Sequence, residues 1–275
     1  MSTGTGVSSC CLSGMLQNGT PKGDVRTIGG TQTYVSEPEN GSNTKSIIFL
    51  VDIFGWEFTN VRLLADSYAK AGFTAYVPDV HNGDSLPISF LQDIEPPLPT
   101  RESMTLVQKT ASTAKVGTTF GPWLAAHREG VTKPIIDGFI REIRKTPGVD
   151  KVGTIGFCWG GRYAILSTAE TDPALSVDAA YACHPSLVEI PGDFDSVKRP
   201  LSLAMGDKDS LLGEKEIGQI KEIMEKKGDV QSEVKVYEDQ VHGFALRGDW
   251  SSEKDKKAMD DAEKQGIEWF KKFLG

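Results

Sequence analysis

Short runs of consecutive apolar and β-branched residues alternate along this chain with stretches in which apolar residues recur every three or four positions. That alternation restricts the architecture more than any other feature of the sequence. Runs at 46–51, 73–77, 152–157, 179–183, 201–205 and 234–237 have the length of single strands, and Ile47-Ile48-Phe49-Leu50-Val51 is the kind of continuous apolar run that a strand buried on both faces requires. Residues 24–35 alternate Val, Ile and Tyr around Gly29-Gly30 and read as a β-hairpin. Between the strands, Asn60 is placed to cap a helix carrying Leu64, Tyr68 and Ala71, which Gly72 closes. Ile135, Ile136, Phe139, Ile140 and Ile143 line a second helix, which stops before Pro147-Gly148. Ile217, Ile220 and Met224 mark a third, and Met259, Ile267, Phe270 and Leu274 a C-terminal one. Strands and helices in this order predict an α/β fold: a mostly parallel central sheet with helices on both faces. Loops leaving the carboxyl ends of such strands converge, so functional residues are sought directly after each strand.

A length of 275 residues fits one domain over 1–275, with the Ser-, Thr- and Gly-rich residues 1–23 as an N-terminal extension. Residues 81–130 hold Pro87, Pro96, Pro97, Pro99 and Pro122 and read as a long irregular connection. A connection of that length is expected to cover a site, as an insertion or lid. The net charge of −8 argues against partners held by phosphate attraction, nucleic acid or anionic membrane, and favours small neutral or modestly charged molecules. No apolar run approaches the roughly 20 residues that span a bilayer, and no secretory signal is readable at the N-terminus. Cysteines at 10, 11, 158 and 183 and histidines at 81, 127, 184 and 242 lack metal-ligand spacing, so neither a metal nor another cofactor is expected. Cys10 and Cys11 have no membrane segment beside them, which argues against acylation. The expectation is a soluble cytoplasmic protein, monomer or homodimer, with free thiols.

The most informative six residues are Gly156-Phe157-Cys158-Trp159-Gly160-Gly161, between a strand and the helical run that starts at Arg162. This is the nucleophile-elbow pattern G-x-S-x-G with cysteine in the serine position. So tight a strand-to-helix turn leaves no room for side chains two residues to either side, and it aims the central side chain above the sheet. The nearby helix N-terminus favours the thiolate, and the Trp159 amide is turned toward an acyl oxygen. A nucleophile needs a base, and the base needs an orienting group. The strand at 201–205 runs into Gly206-Asp207-Lys208-Asp209, and the strand at 234–237 is followed by Val241-His242-Gly243-Phe244. Thiol, carboxylate and imidazole thus arrive in chain order, each after a strand. Asp209 is preferred to its competitor Asp207, which sits tighter against the strand end. Cys183-His184-Pro185 is assigned to core or pocket wall, because adjacent side chains leaving a strand point apart. Phe54, Trp56 and Trp159 are candidates for an apolar pocket.

Asp52-Ile53-Phe54-Gly55, Val77-Pro78-Asp79, Gly156-Phe157-Cys158-Trp159-Gly160-Gly161, Gly206-Asp207-Lys208-Asp209 and Val241-His242-Gly243-Phe244 together resemble the dienelactone hydrolase (carboxymethylenebutenolidase) family, from about residue 24 to the C-terminus. The opening Cys10-Cys11-Leu12-Ser13-Gly14 and Gly19-Thr20-Pro21-Lys22-Gly23 are similar to its fungal members. The resemblance implies an α/β-hydrolase fold and hydrolysis of a small ester or lactone through a thioester. It implies Cys158 as nucleophile, Asp209 as orienting acid and His242 as base, with the amides of Ile53 and Trp159 as oxyanion hole. In the family an acidic residue of the first motif helps to switch on the thiol; Asp52 stands here where bacterial members usually have Glu. Bacterial members hold the substrate carboxylate with arginines, and Arg247 is the counterpart, ahead of Arg162 and Arg128. Two other readings use the same residues: a small-ligand-binding homologue without turnover, and a thiol redox sensor centred on Cys158.

Overall fold

The computed structural model describes residues 16–90 and 103–275, with the backbone alone at 107 and 109–116. β1 (Asp24–Ile28) and β2 (Thr31–Ser36) form the antiparallel hairpin expected around Gly29-Gly30. They continue into β3 (Lys45–Leu50), β4 (Thr74–Pro78), β5 (Lys151–Phe157), β6 (Ala179–Cys183), β7 (Leu201–Gly206) and β8 (Ser232–Tyr237). The eight strands make one sheet in the order β1-β2-β4-β3-β5-β6-β7-β8. β2 joins β4 antiparallel, and all pairs from β4 to β8 are parallel. Every residue of β6 and β7 is buried, and every residue of β3 and β5 except the leading lysine. This is why these segments read as apolar runs without alternation.

The helices are α1 (Thr59–Lys70), α2 (Leu106–Ala126), α3 (Glu129–Lys145), α4 (Trp159–Ser167), the short α5 (Gly192–Asp195), α6 (Glu214–Lys226), the short α7 (Phe244–Arg247) and α8 (Glu253–Leu274). They cover both faces of the sheet, and β5 displays the reason. Successive side chains of a strand point to opposite faces. Gly153 meets the Phe270 ring of α8, whereas Gly156, on the other face, meets Gly160 and Ala164 of α4. Phe49, Tyr68, Phe73 and Phe270 pack with ring centroids 5.3–6.5 Å apart and hold α1 and α8 on the Gly153 face. Edge contacts of this kind contribute about 0.5–1.5 kcal/mol each beyond burial. The carboxyl ends of β3, β5, β6, β7 and β8 therefore lie side by side, bringing together Asp52, Cys158, His184, Asp209 and His242.

Two expectations need correction. Asn60 is not the cap of α1: Phe58 holds that position, and Asn60 is buried inside the first turn. Its side chain accepts from Gln17 N–H (2.9 Å) and donates to Leu246 O (2.9 Å), so remote backbone groups have captured a residue that local rules assign to capping. The segment 81–130 is not irregular throughout, because α2 spans 21 of its residues. α2 starts at a capping box in which Thr105 Oγ1 accepts from Gln108 N–H (3.3 Å) and Gln108 Oε1 accepts from Thr105 N–H (2.8 Å). The helix then runs through Pro122 to end at His127. Residues 91–102, with three of the prolines, lie outside the described residues, as do Cys10 and Cys11. Among the described residues no helix is long and apolar enough to cross a membrane, and no cluster of three His, Cys, Asp or Glu could hold a metal ion.

Candidate active site

Cys158 sits between β5 and α4 with φ 51° and ψ −117°, in a region that non-glycine residues rarely occupy. Such strain costs on the order of 1–3 kcal/mol and survives only where the surroundings impose it. The imposition is steric. A Cβ on Gly156 would lie 2.3 Å from Gly160 O, and one on Gly160 would lie 2.1 Å from Leu50 O. Both glycines are what lets α4 leave the sheet so sharply. The backbone of Cys158 is also held by hydrogen bonds: its N–H donates to Cys183 O (3.1 Å) and His184 Nδ1 (3.2 Å), and its carbonyl accepts from Gly161 and Ser186 N–H (3.0 Å each). The thiol lies 3.6 Å from Ser186 Oγ, and the residue is 6% exposed.

His242, in the loop after β8, shares a hydrogen bond between Nδ1 and Asp209 Oδ2 (2.9 Å), while Asp209 Oδ1 accepts from Leu211 N–H (2.8 Å). Both side chains are almost fully buried. Asp209 rather than Asp207 thus meets the imidazole; Asp207 turns its Oδ2 toward Lys208 Nζ (3.6 Å). Among the described residues the Nε2 of His242 makes no directed hydrogen bond, yet its ring is close enough to couple to the Cys158 thiol. Burial by itself would raise that thiol, but the His242 imidazole, helped by Arg247, outweighs burial and lowers it. Burial likewise opposes charge on His242, and Cys158 and Asp209 together overcome it and raise the imidazole. Both directions favour a thiolate–imidazolium pair.

Asp52 and Arg247 also meet, with Nε 3.0 Å from Oδ2 and both side chains buried. Asp52 Oδ1 accepts from Phe54 N–H (2.9 Å), and the Arg247 guanidinium lies 5.1 Å from the centre of the Phe54 ring. Burial raises the Asp52 carboxyl above its ordinary value, against the opposing pull of Arg247 and the Phe54 amide. The two weaker arginine candidates are engaged elsewhere. Arg162 pairs with Asp193 (2.8 Å), Glu129 (3.0 Å) and Glu189 (3.2 Å), and exposed Arg128 donates to Ala125 O. Trp159 opens α4, so its N–H has no acceptor within the helix. The Ile53 carbonyl is taken by Leu86 N–H (2.8 Å), and its amide finds no protein acceptor among the described residues. Trp159 lines a cavity of about 240 Å³ with Leu124, His127, Tyr163 and Leu187. Trp56 instead stacks under Arg62 (4.6 Å).

Residues 31–274 match the family model described as "Dienelactone hydrolase family". The chain belongs to the dienelactone hydrolase family. It is 28% identical over 267 residues to hydrolase pyvD of Aspergillus violaceofuscus, covering 97% of each chain. It is 26% identical over 232 residues to the mouse carboxymethylenebutenolidase homolog, covering 84% of this chain and 83% of the other. Among solved structures, the dienelactone hydrolase of Anabaena variabilis superposes with a TM-score of 0.60 at 16% identity, over 92% of this chain and 98% of that one, a likeness of fold. The α/β-hydrolase fold is thereby established, and with it a hydrolase of the dienelactone hydrolase type.

Sequence reasoning missed part of the surroundings of this dienelactone hydrolase-type site. His184 and Ser186 touch Cys158, although Cys183 behaves as the expected core residue, its thiol pushed up to about 12 by burial. The legible signal was that β6 neighbours β5; the turn that aims His184 back, at φ 37°, was not legible. His81 and Trp123 pack around Trp159 with centroids 4.8 and 5.5 Å away. Burial and the neighbouring His127 push His81 down to about 3, so it is neutral at ordinary pH. The position of His81 directly after β4 could have marked it.

Proposed function

We propose that this protein hydrolyses small activated esters or enol-lactones through Cys158, His242 and Asp209. The observation that carries the reading is the strained Cys158 elbow beside an imidazole whose far nitrogen is bonded to a buried carboxylate at 2.9 Å. His242 takes the thiol proton, and the thiolate adds to the acyl carbonyl. The amides of Ile53 and Trp159 receive the oxyanion; loss of one such donor costs on the order of 3 kcal/mol in the barrier. Collapse expels the alkoxide or enolate, which takes the proton from His242 and leaves a thioester. Water, deprotonated by the same imidazole, then releases the acid and restores the thiol. The thiolate is itself a good leaving group, so the tetrahedral adduct goes forward only when the departing oxygen is well stabilised. Phenolic esters and enol-lactones meet that condition, and amides do not.

Asp52 and Arg247 tune the thiol in opposite senses, Arg247 lowering and Asp52 raising it. A substrate carboxylate that binds Arg247 competes with Asp52 for the guanidinium. The segment 81–130 covers the acyl site through Trp123 and His127, with 1–23 as an extension of a single domain over 1–275. The protein acts in the cytoplasm as a monomer or homodimer. The test is hydrolysis of nitrophenyl esters and dienelactones by the natural protein, Cys158→Ala and Cys158→Ser. Turnover by the natural protein, abolished in Cys158→Ala, is expected; equal turnover by both refutes the reading.

A further inference from the structure

The turn that follows β6 holds Cys158 by most of its polar atoms. His184 Nδ1 and Cys183 O share the Cys158 N–H, Ser186 N–H donates to the Cys158 carbonyl, and Ser186 Oγ lies against the sulfur. His184 reaches this position only by adopting φ 37°, and it is completely buried. A backbone N–H can only donate, so Nδ1 of His184 carries the lone pair and the ring proton sits on Nε2. That Nε2 has no hydrogen-bond partner among the described residues. A buried polar atom without a partner is rare in native structures, and an apolar residue would fill the same space without it. The rest of the ring is enclosed by Phe157 (6.1 Å), Phe244 (5.9 Å) and His242, whose ring stands edge-on at 5.2 Å.

We propose that His184 is a positioning residue for the cysteine hydrolase chemistry: its Nδ1 lone pair fixes the Cys158 amide in the elbow, and so keeps the thiol in register with His242. His184 acts through the Cys158 amide, which its Nδ1 holds at 3.2 Å. The groups facing the two imidazoles are Cys158 from the elbow, Asp209 behind His242, Arg247 from α7 and Asp52 paired to it. Burial, His242 and Arg247 all disfavour a charge on His184, which keeps Nδ1 free to accept. A proton there would set two donors against each other and push the Cys158 amide away.

The inference rests on Cys158 being the nucleophile, and its test compares His184→Leu with His184→Asn. Leucine removes the acceptor. Asparagine carries an oxygen near the Nδ1 position and tolerates positive φ. His184→Leu is expected to lower kcat on a nitrophenyl ester on the order of 100-fold with KM changed less than about threefold, as misplacement of a reacting group does. It is also expected to move the midpoint of Cys158 alkylation by iodoacetamide to higher pH, and His184→Asn to restore both. A native alkylation profile in His184→Leu overturns the proposal, as does an Asn variant as defective as the Leu variant when both melt like the natural protein. If neither variant folds, nitrogen-15 NMR of the natural protein decides: His184 must hold its proton on Nε2 between about pH 5 and 9, and a proton on Nδ1 or a titration in that range overturns the proposal. Alkylation and NMR need no substrate. A natural protein without esterase activity therefore removes the functional reading and still leaves the role of His184 decided.

Discussion

Replacing Arg247 by methionine, which keeps most of the length and removes the charge, isolates the buried ion pair beside the thiol. Arg247 Nε and Asp52 Oδ2 are 3.0 Å apart, with side chains 3% and 1% exposed, so solvent screens them little. At that distance and an effective dielectric constant of about 20, the attraction is about 5–6 kcal/mol. A neutral Asp52 would leave the guanidinium a lone buried cation, so the pair holds the carboxylate ionised against burial. Without Arg247, the carboxylate escapes by taking a proton. At pH 7 that escape costs about 4 kcal/mol for a group whose unfolded value is about 3.9. The smaller figure limits the loss, so Arg247→Met is expected to lose about 4 kcal/mol at pH 7 and about 1.5 kcal/mol at pH 5. The sign follows from burial, which raises the folded Asp52 above its unfolded value. The folded variant then binds the extra proton, and its stability falls as pH rises from the unfolded value toward the folded one. Urea unfolding at the two pH values measures the difference. Asp52→Asn/Arg247→Met keeps the Oδ1 acceptor for Phe54 N–H and is expected to recover most of the loss at pH 7. An equal loss at both pH values, or a double variant no more stable than the single one, refutes the reasoning.

Asp209→Asn removes the charge that orients His242 and is expected to lower kcat on esters on the order of 10⁴-fold, as in other triads, which steady-state kinetics will measure. Alkylation of Cys158 should have its midpoint below the ordinary thiol value of about 8.5, because the thiol is lowered. In His242→Gln only Arg247 is left to oppose burial, so the midpoint should rise above that of the natural protein; iodoacetamide rates against pH check both. Gly243→Ala meets two obstacles, a φ of 87° and a Cβ 2.6 Å from Arg247 Nη2. Thermal unfolding should register a loss of at least about 1–2 kcal/mol.

The strands and the order of the reactive residues were legible because each depends on a local pattern. Apolar runs gave β3 to β8 to within about two residues, and the glycines around Cys158 announced a turn that nothing larger can make. α2 was overlooked because Pro122 and the prolines ahead of the helix outweighed the Thr105–Gln108 capping box, and Asn60 was misread because its partners are Gln17 and Leu246.

The order of thiol, carboxylate and imidazole, each after a strand, was settled by the amino acids alone, since periodicity and turn sterics act over a few residues. Which atoms touch was settled by the folded sheet. Asp209 rather than Asp207 reaches His242, Asp52 pairs with Arg247, and His184 turns back beneath Cys158. Those choices depend on how strand ends from distant parts of the chain register against one another within a fraction of an ångström, and on which charge burial leaves with a counter-ion. Neither quantity is encoded in the spacing of residues along the chain.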